Sequence, residues 1–260
     1  MTTPSRKFAA VILAAGKGTR MKSELHKVLH PIAGRAMLDH LLDSFAELVP
    51  ERTVVVAGDR LEQLEAALAG RGIDLARQVP QLGTAHAALM TRDALRGFDG
   101  DVLVCFGDCP MLKPATVRRM RDELERGARV VVLGFRPADT LAYGRIIADA
   151  DGTVRKMVEH KDASPAERAV NLCNSGVIVA HSDDMWRLLE AVGNDPLYAT
   201  NQDRVARRAD LIPVLSERMR AHGTAEWMGR FEAANVPCAR GSSAAMRSAS
   251  FCSRLRMTLW

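Results

Sequence analysis

The sequence predicts an α/β protein: a Rossmann-like, mainly parallel sheet covered by helices on both faces. Up to about residue 135, apolar or β-branched runs alternate with segments whose apolar residues recur at helical spacing, the pattern of consecutive βαβ units. The first run, Phe8–Ala15, is apolar throughout, as befits a strand buried on both faces. Polar, glycine-bearing turns follow Ala15 and Phe106, where sheets of this kind place their ligands, beyond the carboxyl ends of the strands.

Taken in order, Phe8–Ala15 is a strand. Ala36–Leu48 is a helix, with Met37, Leu38, Leu41, Leu42, Phe45 and Leu48 on its apolar side. Thr53–Ala57 is a strand, Leu61–Leu68 a helix, and Ile73–Ala76 a short extended segment. Thr84–Leu95 is a helix that Thr84 can cap. Asp101–Phe106 is a strand, Pro114–Arg126 a helix with proline in its first turn, and Arg129–Phe135 a strand.

From Tyr143 the style changes. Tyr143–Ala148, Thr153–Glu159 and Asn174–Ala180 are short strands joined by polar turns, with Asp151-Gly152 suited to a hairpin. They predict a small antiparallel lobe inserted over the mouth of the sheet. After Gly193 strand signals vanish. Asn201–Met219 and Thr224–Ala234 read as helices, so residues 194–239 form a helical appendage to a domain spanning 1–193. Residues 240–260 show no clear period and are expected to be poorly ordered.

Charge is distributed unevenly. Residues 1–193 carry 26 basic and 25 acidic side chains, whereas residues 240–260 hold four arginines and no acid. The net charge of +5 therefore comes mostly from the tail and does not read as a nucleic-acid surface. The five cysteines are irregularly spaced and lack a histidine ligand set, which fits reduced cytoplasmic thiols. His26, His30, His86 and His160 share no metal-ligand spacing and read as structural or surface residues. Arg6-Lys7 before Phe8–Ala15 imitates a signal peptide, but eight apolar residues are at the short limit for one. No run approaches a membrane span.

Four groups carry chemistry. Leu13-Ala-Ala-Gly-Lys-Gly-Thr-Arg20 ends the first strand in glycines and cations, and Lys27 follows. Glycines let a phosphate chain approach backbone N–H groups, and Arg20 and Lys27 add positive charge. The loop is neither a P-loop, whose leading glycine would fall at Val11, nor a dinucleotide fingerprint, whose third small residue would fall at Met21. Gln78, Gly83 and Thr84 form the second group. Gln78 offers donor and acceptor to a nucleobase edge, and Gly83-Thr84 opens a helix. Asp108 ends the Asp101–Phe106 run and is placed to hold Mg²⁺ against phosphates. The fourth group holds Tyr143-Gly-Arg145, Glu159 and Asn174, and Glu159 and Asn174, polar residues at the ends of the lobe's strands, suit sugar hydroxyls or an acetamido group. Each group alone is also compatible with an ordinary turn, cap or surface position.

Together and in this order, Leu13–Met21, Lys27-Val-Leu-His-Pro-Ile-Ala-Gly34, Gln81-Leu-Gly-Thr-Ala-His86, Phe106-Gly-Asp108, Tyr143-Gly-Arg145, Val158-Glu-His-Lys-Asp162 and Asn174-Ser-Gly176 resemble the uridylyltransferase domain of bacterial N-acetylglucosamine-1-phosphate uridyltransferases. The match covers about residues 8–193. It implies a glycosyltransferase-A-like nucleotidyltransferase fold, the substrates UTP and N-acetylglucosamine 1-phosphate, Mg²⁺ as cofactor, and a cytoplasmic setting in cell-wall precursor synthesis. Leu13, Ala14, Ala15, Gly16, Gly18 and Thr19 would line the nucleotide, and Gln78, Gly83 and Thr84 would read uracil. Arg20 and Lys27 would neutralise the triphosphate, Asp108 would bind the metal, and Gly144, Glu159 and Asn174 would hold the sugar. Phe106 stands where the family usually has tyrosine, which removes a hydroxyl near the sugar.

The pattern departs from the family after Gly193. The family's Gly-Glu-Tyr-Tyr segment, closing strands and second metal-binding asparagine are missing, and so is its β-helical acetyltransferase domain. Asn235 is a weak candidate for that asparagine. Residues 194–238 instead resemble a helical segment of class III CoA-transferases without its catalytic part. The domain is therefore expected to be incomplete at its C-terminal end, with exposed apolar surface that leaves room for self-association. Two further functions stay open at this stage: a nucleotide- or sugar-nucleotide-binding module with weak or no turnover, and a sugar nucleotidyltransferase of other specificity. Neither nucleic acid nor membrane is an expected partner.

Overall fold

The computed structural model describes residues 6–16, 18, 21–193 and 255–259. Strand β1 (Phe8–Ala14) leads through a 3-10 turn (Lys27–Leu29) to a two-residue hairpin, β2 (Pro31–Ile32) and β3 (Arg35–Ala36). Then follow α1 (Met37–Ala46), β4 (Arg52–Ala57), α2 (Leu61–Leu68), β5 (Asp74–Arg77), α3 (Thr84–Leu89), β6 (Asp101–Phe106), α4 (Pro114–Glu125) and β7 (Val130–Phe135). The second half contributes β8 (Arg145–Ala148), β9 (Val154–Val158), α5 (Pro165–Arg168), β10 (Cys173–His181), α6 (Ser182–Gly193) and β11 (Leu255–Leu259).

The main sheet runs β11-β7-β10-β6-β1-β4-β5. β1 lies at its middle, parallel to both β4 and β6. This explains why its run is apolar without alternation. Phe8, Ala10, Ile12 and Ala14 pack with Leu38, Leu64 and Met120 of α1, α2 and α4. Ala9, Val11 and Leu13 pack with Ala87, Ala88 and Met185 of α3 and α6 on the other face. Successive side chains of a strand point to opposite faces, so a strand covered on both sides buries every residue. The predicted doubly covered α/β architecture is the one observed.

Three expectations need correction. Asn174–Ala180 belongs only in part to the antiparallel lobe. β8 and β9 form the expected hairpin, and β10 touches it at Cys173↔Arg145. A bulge between Asn174 and Ile178 then redirects β10. Its apolar end inserts antiparallel between β6 and β7, because Val177, Val179 and Ala180 are buried there.

Thr84 does not cap α3. Gly83 takes the cap position with φ of +107°, and Thr84 is the first helical residue. The α-helix also stops at Leu89 rather than Leu95. The N–H groups of Thr91 and Arg92 bond three residues back, and the Thr91 hydroxyl donates to the Ala88 carbonyl at 2.7 Å, which tightens the chain out of α geometry.

Within the tail expected to be poorly ordered, Leu255–Leu259 forms β11, parallel to β7 from Leu255↔Val130 to Leu259↔Gly134. An edge strand presents unpaired N–H and C=O groups that another extended segment can take up. The predicted appendage over 194–239, Asn235, and residues 240–254 lie outside the described residues. The 3-10 turn at Lys27–Leu29, the β2–β3 hairpin, α5 and α6 were not predicted. The α5 signal was present in Ser164 and Glu167, which form a reciprocal capping box.

Candidate active site

The site begins with the register of two neighbouring strands. β1 and β6 are parallel, with Leu13 opposite Phe106. The Gly107 N–H donates to the Leu13 carbonyl at 2.9 Å, so the chain leaves both strands at one place. Lys27 and Asp108 meet there, the Lys27 ammonium donating to Asp108 Oδ2. Both side chains are about one-third exposed (34% and 33%), which leaves them open to a ligand. The glycine loop lies against the lysine stem: a Cβ on Gly18 would sit 3.1 Å from Lys27 Cβ.

His26 seats Lys27. Its N–H donates to Gln63 Oε1 at 2.7 Å, and its Nδ1 accepts from the Val28 N–H at 3.4 Å. The imidazole is buried, and that burial is the largest cause pulling its pKa below the ordinary 6.5. A histidine with a depressed folded pKa lends its full stability above the unfolded value and loses it as pH falls toward the folded one. Melting temperatures measured at about pH 7.5 and about pH 5 are therefore expected to fall more in the wild type than in His26→Asn. Equal falls would contradict this reading.

These loops frame a cavity of about 420 Å³. Of the residues predicted for the nucleotide and metal, Leu13, Ala14, Ala15, Gly16, Lys27, Gln78, Gly83, Thr84 and Asp108 line it, whereas Gly18 is not among its lining residues. Thr19 and Arg20 lie outside the described residues. Val28, Gln81, Ala87 and Phe106 also line the cavity and were not assigned to it from sequence. Gln81 has the clearest role: its Nε2 donates to the Ala15 carbonyl at 2.7 Å, pinning the glycine turn to the 78–86 loop. It reaches Ala15 across Gly58, where a Cβ would overlap Gln81 Nε2 and the Ala15 carbonyl. A glutamine next to a proline gives no local sign of so distant a bond.

Gln78 is buried, and its amide nitrogen is committed. Nε2 donates to the Gly83 carbonyl at 2.9 Å and lies 3.1 Å from His86 Nδ1. A carbonyl can only accept, so this contact fixes the amide's orientation and leaves Oε1 as the atom free for a ligand. Gly144, Glu159 and Asn174 are not among the cavity-lining residues, but they form one cluster. A Cβ on Gly144 would lie 3.6 Å from Glu159 Oε2 and 3.8 Å from Asn174 Cβ. The cluster adjoins the cavity through Phe106, which lines the cavity and packs against Gly176. Asn174 Oδ1 accepts from the Gly176 N–H at 2.9 Å.

Cys109 follows Asp108, and burial, reinforced by the Asp108 charge, pushes its thiol up to about 11. Burial likewise pushes the Cys105 thiol well above its ordinary value. Both thiols are therefore protonated near neutrality, and Asp108 is the carboxylate lining the cavity. Among the described residues no three His, Cys, Asp or Glu side chains cluster as a metal site. No helix among them is long and apolar enough to cross a membrane.

A family model described as the MobA-like NTP transferase domain matches residues 10–191. The chain belongs to that family. The NTP transferase match starts within β1 and ends within α6, so it takes in every strand of the sheet except β11. Among curated relatives, the chain is 60% identical over 190 residues to the "Bifunctional protein GlmU" of Novosphingobium aromaticivorans, an alignment covering 72% of this chain and 42% of the relative. It is 56% identical over 192 residues to that of Rhizorhabdus wittichii, covering 73% and 42%, and 59% identical over 190 residues to that of Sphingopyxis alaskensis, covering 72% and 42%. The NTP transferase domain thus spans less than half the length of these relatives. The segment resembling CoA-transferases, 194–238, lies outside both the family match and the described residues.

Proposed function

We propose that the chain joins UTP to N-acetylglucosamine 1-phosphate, giving UDP-N-acetylglucosamine and pyrophosphate. The observation that carries this reading is the meeting of the glycine turn after β1 with Asp108 after β6, beside the Lys27 ammonium. A phosphate oxygen of the sugar phosphate attacks the α-phosphorus of UTP in line. One P–O bond forms there, the bond to the β-phosphate oxygen breaks, and pyrophosphate leaves with the electron pair. The attacking oxygen is already anionic at neutral pH, so no general base is required. Positioning and charge neutralisation supply the catalysis.

Each cavity residue then has a task. Gln78 Oε1, held outward by Gly83 and His86, accepts from the N3–H of uracil. The N–H groups of Gly83 and Thr84 stand at the start of α3 and suit the uracil carbonyls. The turn from Leu13 to Gly16 approaches the ribose and phosphates. Lys27 faces the triphosphate charge, and Gly144, Glu159 and Asn174 take the sugar. Asp108 fits Mg²⁺, since that ion binds one or two carboxylates and completes its shell with phosphate oxygens and water. Bound there, Mg²⁺ would supply charge neutralisation of the α- and β-phosphates. A cytoplasmic setting, where free UTP is available, accompanies the reading.

Pyrophosphate release from UTP and N-acetylglucosamine 1-phosphate with Mg²⁺ tests it directly, and release that requires both substrates is expected. The second reading, a binding module without turnover, draws on Asp108 being the lone carboxylate among the described residues that line the cavity. Calorimetric binding of UTP without pyrophosphate release would favour that module. Release with a different nucleotide or sugar phosphate would move the specificity and keep the reaction class.

A further inference from the structure

Arg145 is among the largest fully buried side chains, 1% exposed, and among the described residues no carboxylate pairs with it. A buried charge without a counter-ion is expensive, so its surroundings must compensate. They do so with oxygen atoms and with the Cys173 side chain. One terminal nitrogen donates to the carbonyl of Tyr143 and, at 3.4 Å, to that of Thr140. The other donates to Thr140 Oγ1 at 2.8 Å and to the Leu141 carbonyl at 3.4 Å. Nε donates to the Arg168 carbonyl at 3.4 Å.

Those partners lie beside the three residues assigned to the sugar. The 140–143 loop ends at Gly144, and Leu141 sits in the left-handed region with φ of +37°, a conformation that a leucine holds only when its surroundings impose it. Arg168 continues the chain of contacts, its guanidinium donating to the carbonyls of His160 at 3.1 Å and Lys161 at 3.3 Å, directly after Glu159. On the third side, β8 meets β10 at Arg145↔Cys173, and the Asn174 N–H donates to the Gly144 carbonyl at 2.9 Å. The guanidinium and its relay thus hold the backbone just before Gly144 and just after Glu159, and the strand pairing that Arg145 itself makes carries Asn174 against Gly144.

We infer that Arg145 is a positioning residue that sets the geometry of the sugar cluster without touching the ligand. Arginine suits this task because its planar fork holds several donors in fixed directions, which lysine's point charge cannot do. The inference rests on the sugar-phosphate reading of Gly144, Glu159 and Asn174.

Calorimetric titration with UDP and with UDP-N-acetylglucosamine separates the two. In the wild type the sugar nucleotide should bind more tightly than UDP; equal affinities would overturn the sugar reading itself. In Arg145→Met that preference should fall by about tenfold while UDP affinity stays unchanged. Arg145→Lys should recover only a minor part of it. Arg168→Met alters an exposed side chain and cuts only the arm to Glu159, so it should lose a smaller share with its melting temperature unchanged. If Arg145→Met does not fold, Arg168→Met and Thr140→Val decide by the same ratio. A wild type that prefers the sugar nucleotide, with folded variants that keep the full preference or lose UDP and sugar-nucleotide affinity in parallel, would overturn the positioning role.

Discussion

Lys27→Ala and Asp108→Asn are each expected to lower uridylyl transfer by about 10²- to 10³-fold or more, the range for removing one preorganised charge partner of a transition state. Lys27 is the described cation lining the cavity, held between the glycine loop and Asp108. Asp108→Asn keeps the shape of the side chain but removes the charge that pairs with Lys27 and suits a divalent ion. Stability should barely move. Both groups are one-third exposed, and ion pairs that water reaches are worth about 0–1 kcal/mol. Pyrophosphate-release rates and thermal melts on the same preparations distinguish a catalytic from a structural loss. Rates within roughly threefold of wild type in both variants, far short of the range above, would remove these residues from the chemistry.

Gly176→Ala should destabilise the protein by about 2–4 kcal/mol. Gly176 has φ of +78°, which an alanine adopts with strain. The added Cβ would overlap Phe106 Cε2 and lie 3.1 Å from two further ring carbons. Phe106 is fixed by its strand, so relief must come from turning its ring toward the cavity that it lines. The variant should therefore also lose ligand affinity, and Phe106→Leu in the same background should restore part of the stability. Urea denaturation of the wild type and the two variants reads this out. A change under about 0.5 kcal/mol, the scatter of ordinary surface substitutions, would mean that the bulge moves freely.

Much of the fold was legible because β1, β4, β6 and β7 are apolar runs separated by amphipathic helices, and that periodicity is a local property. The destination of Val177–Ala180 was not legible, since an apolar run does not reveal which neighbours it joins. Lys27 and Asp108 could be expected to meet because both follow strand ends of a parallel sheet. The bonds from Gln81 to Ala15 and from Arg145 to Arg168 were beyond reading, because each spans many residues and depends on backbone carbonyls that leave no mark in sequence. Thr84 misled for a related reason: threonine is a good cap in isolation, but Gly83 already supplied the required backbone turn.

The antiparallel insertion of β10 bears on how the chain is assembled during synthesis. β6 and β7 are separated in sequence by α4 alone, yet they cannot be bridged until residues 173–181 arrive between them. A nascent chain halted near residue 170 would hold two half-sheets with bare facing edges, and exposed edges recruit other chains. Long-range pairing of this kind slows folding, so the last strand to enter the middle of the sheet sets how long a new molecule stays vulnerable.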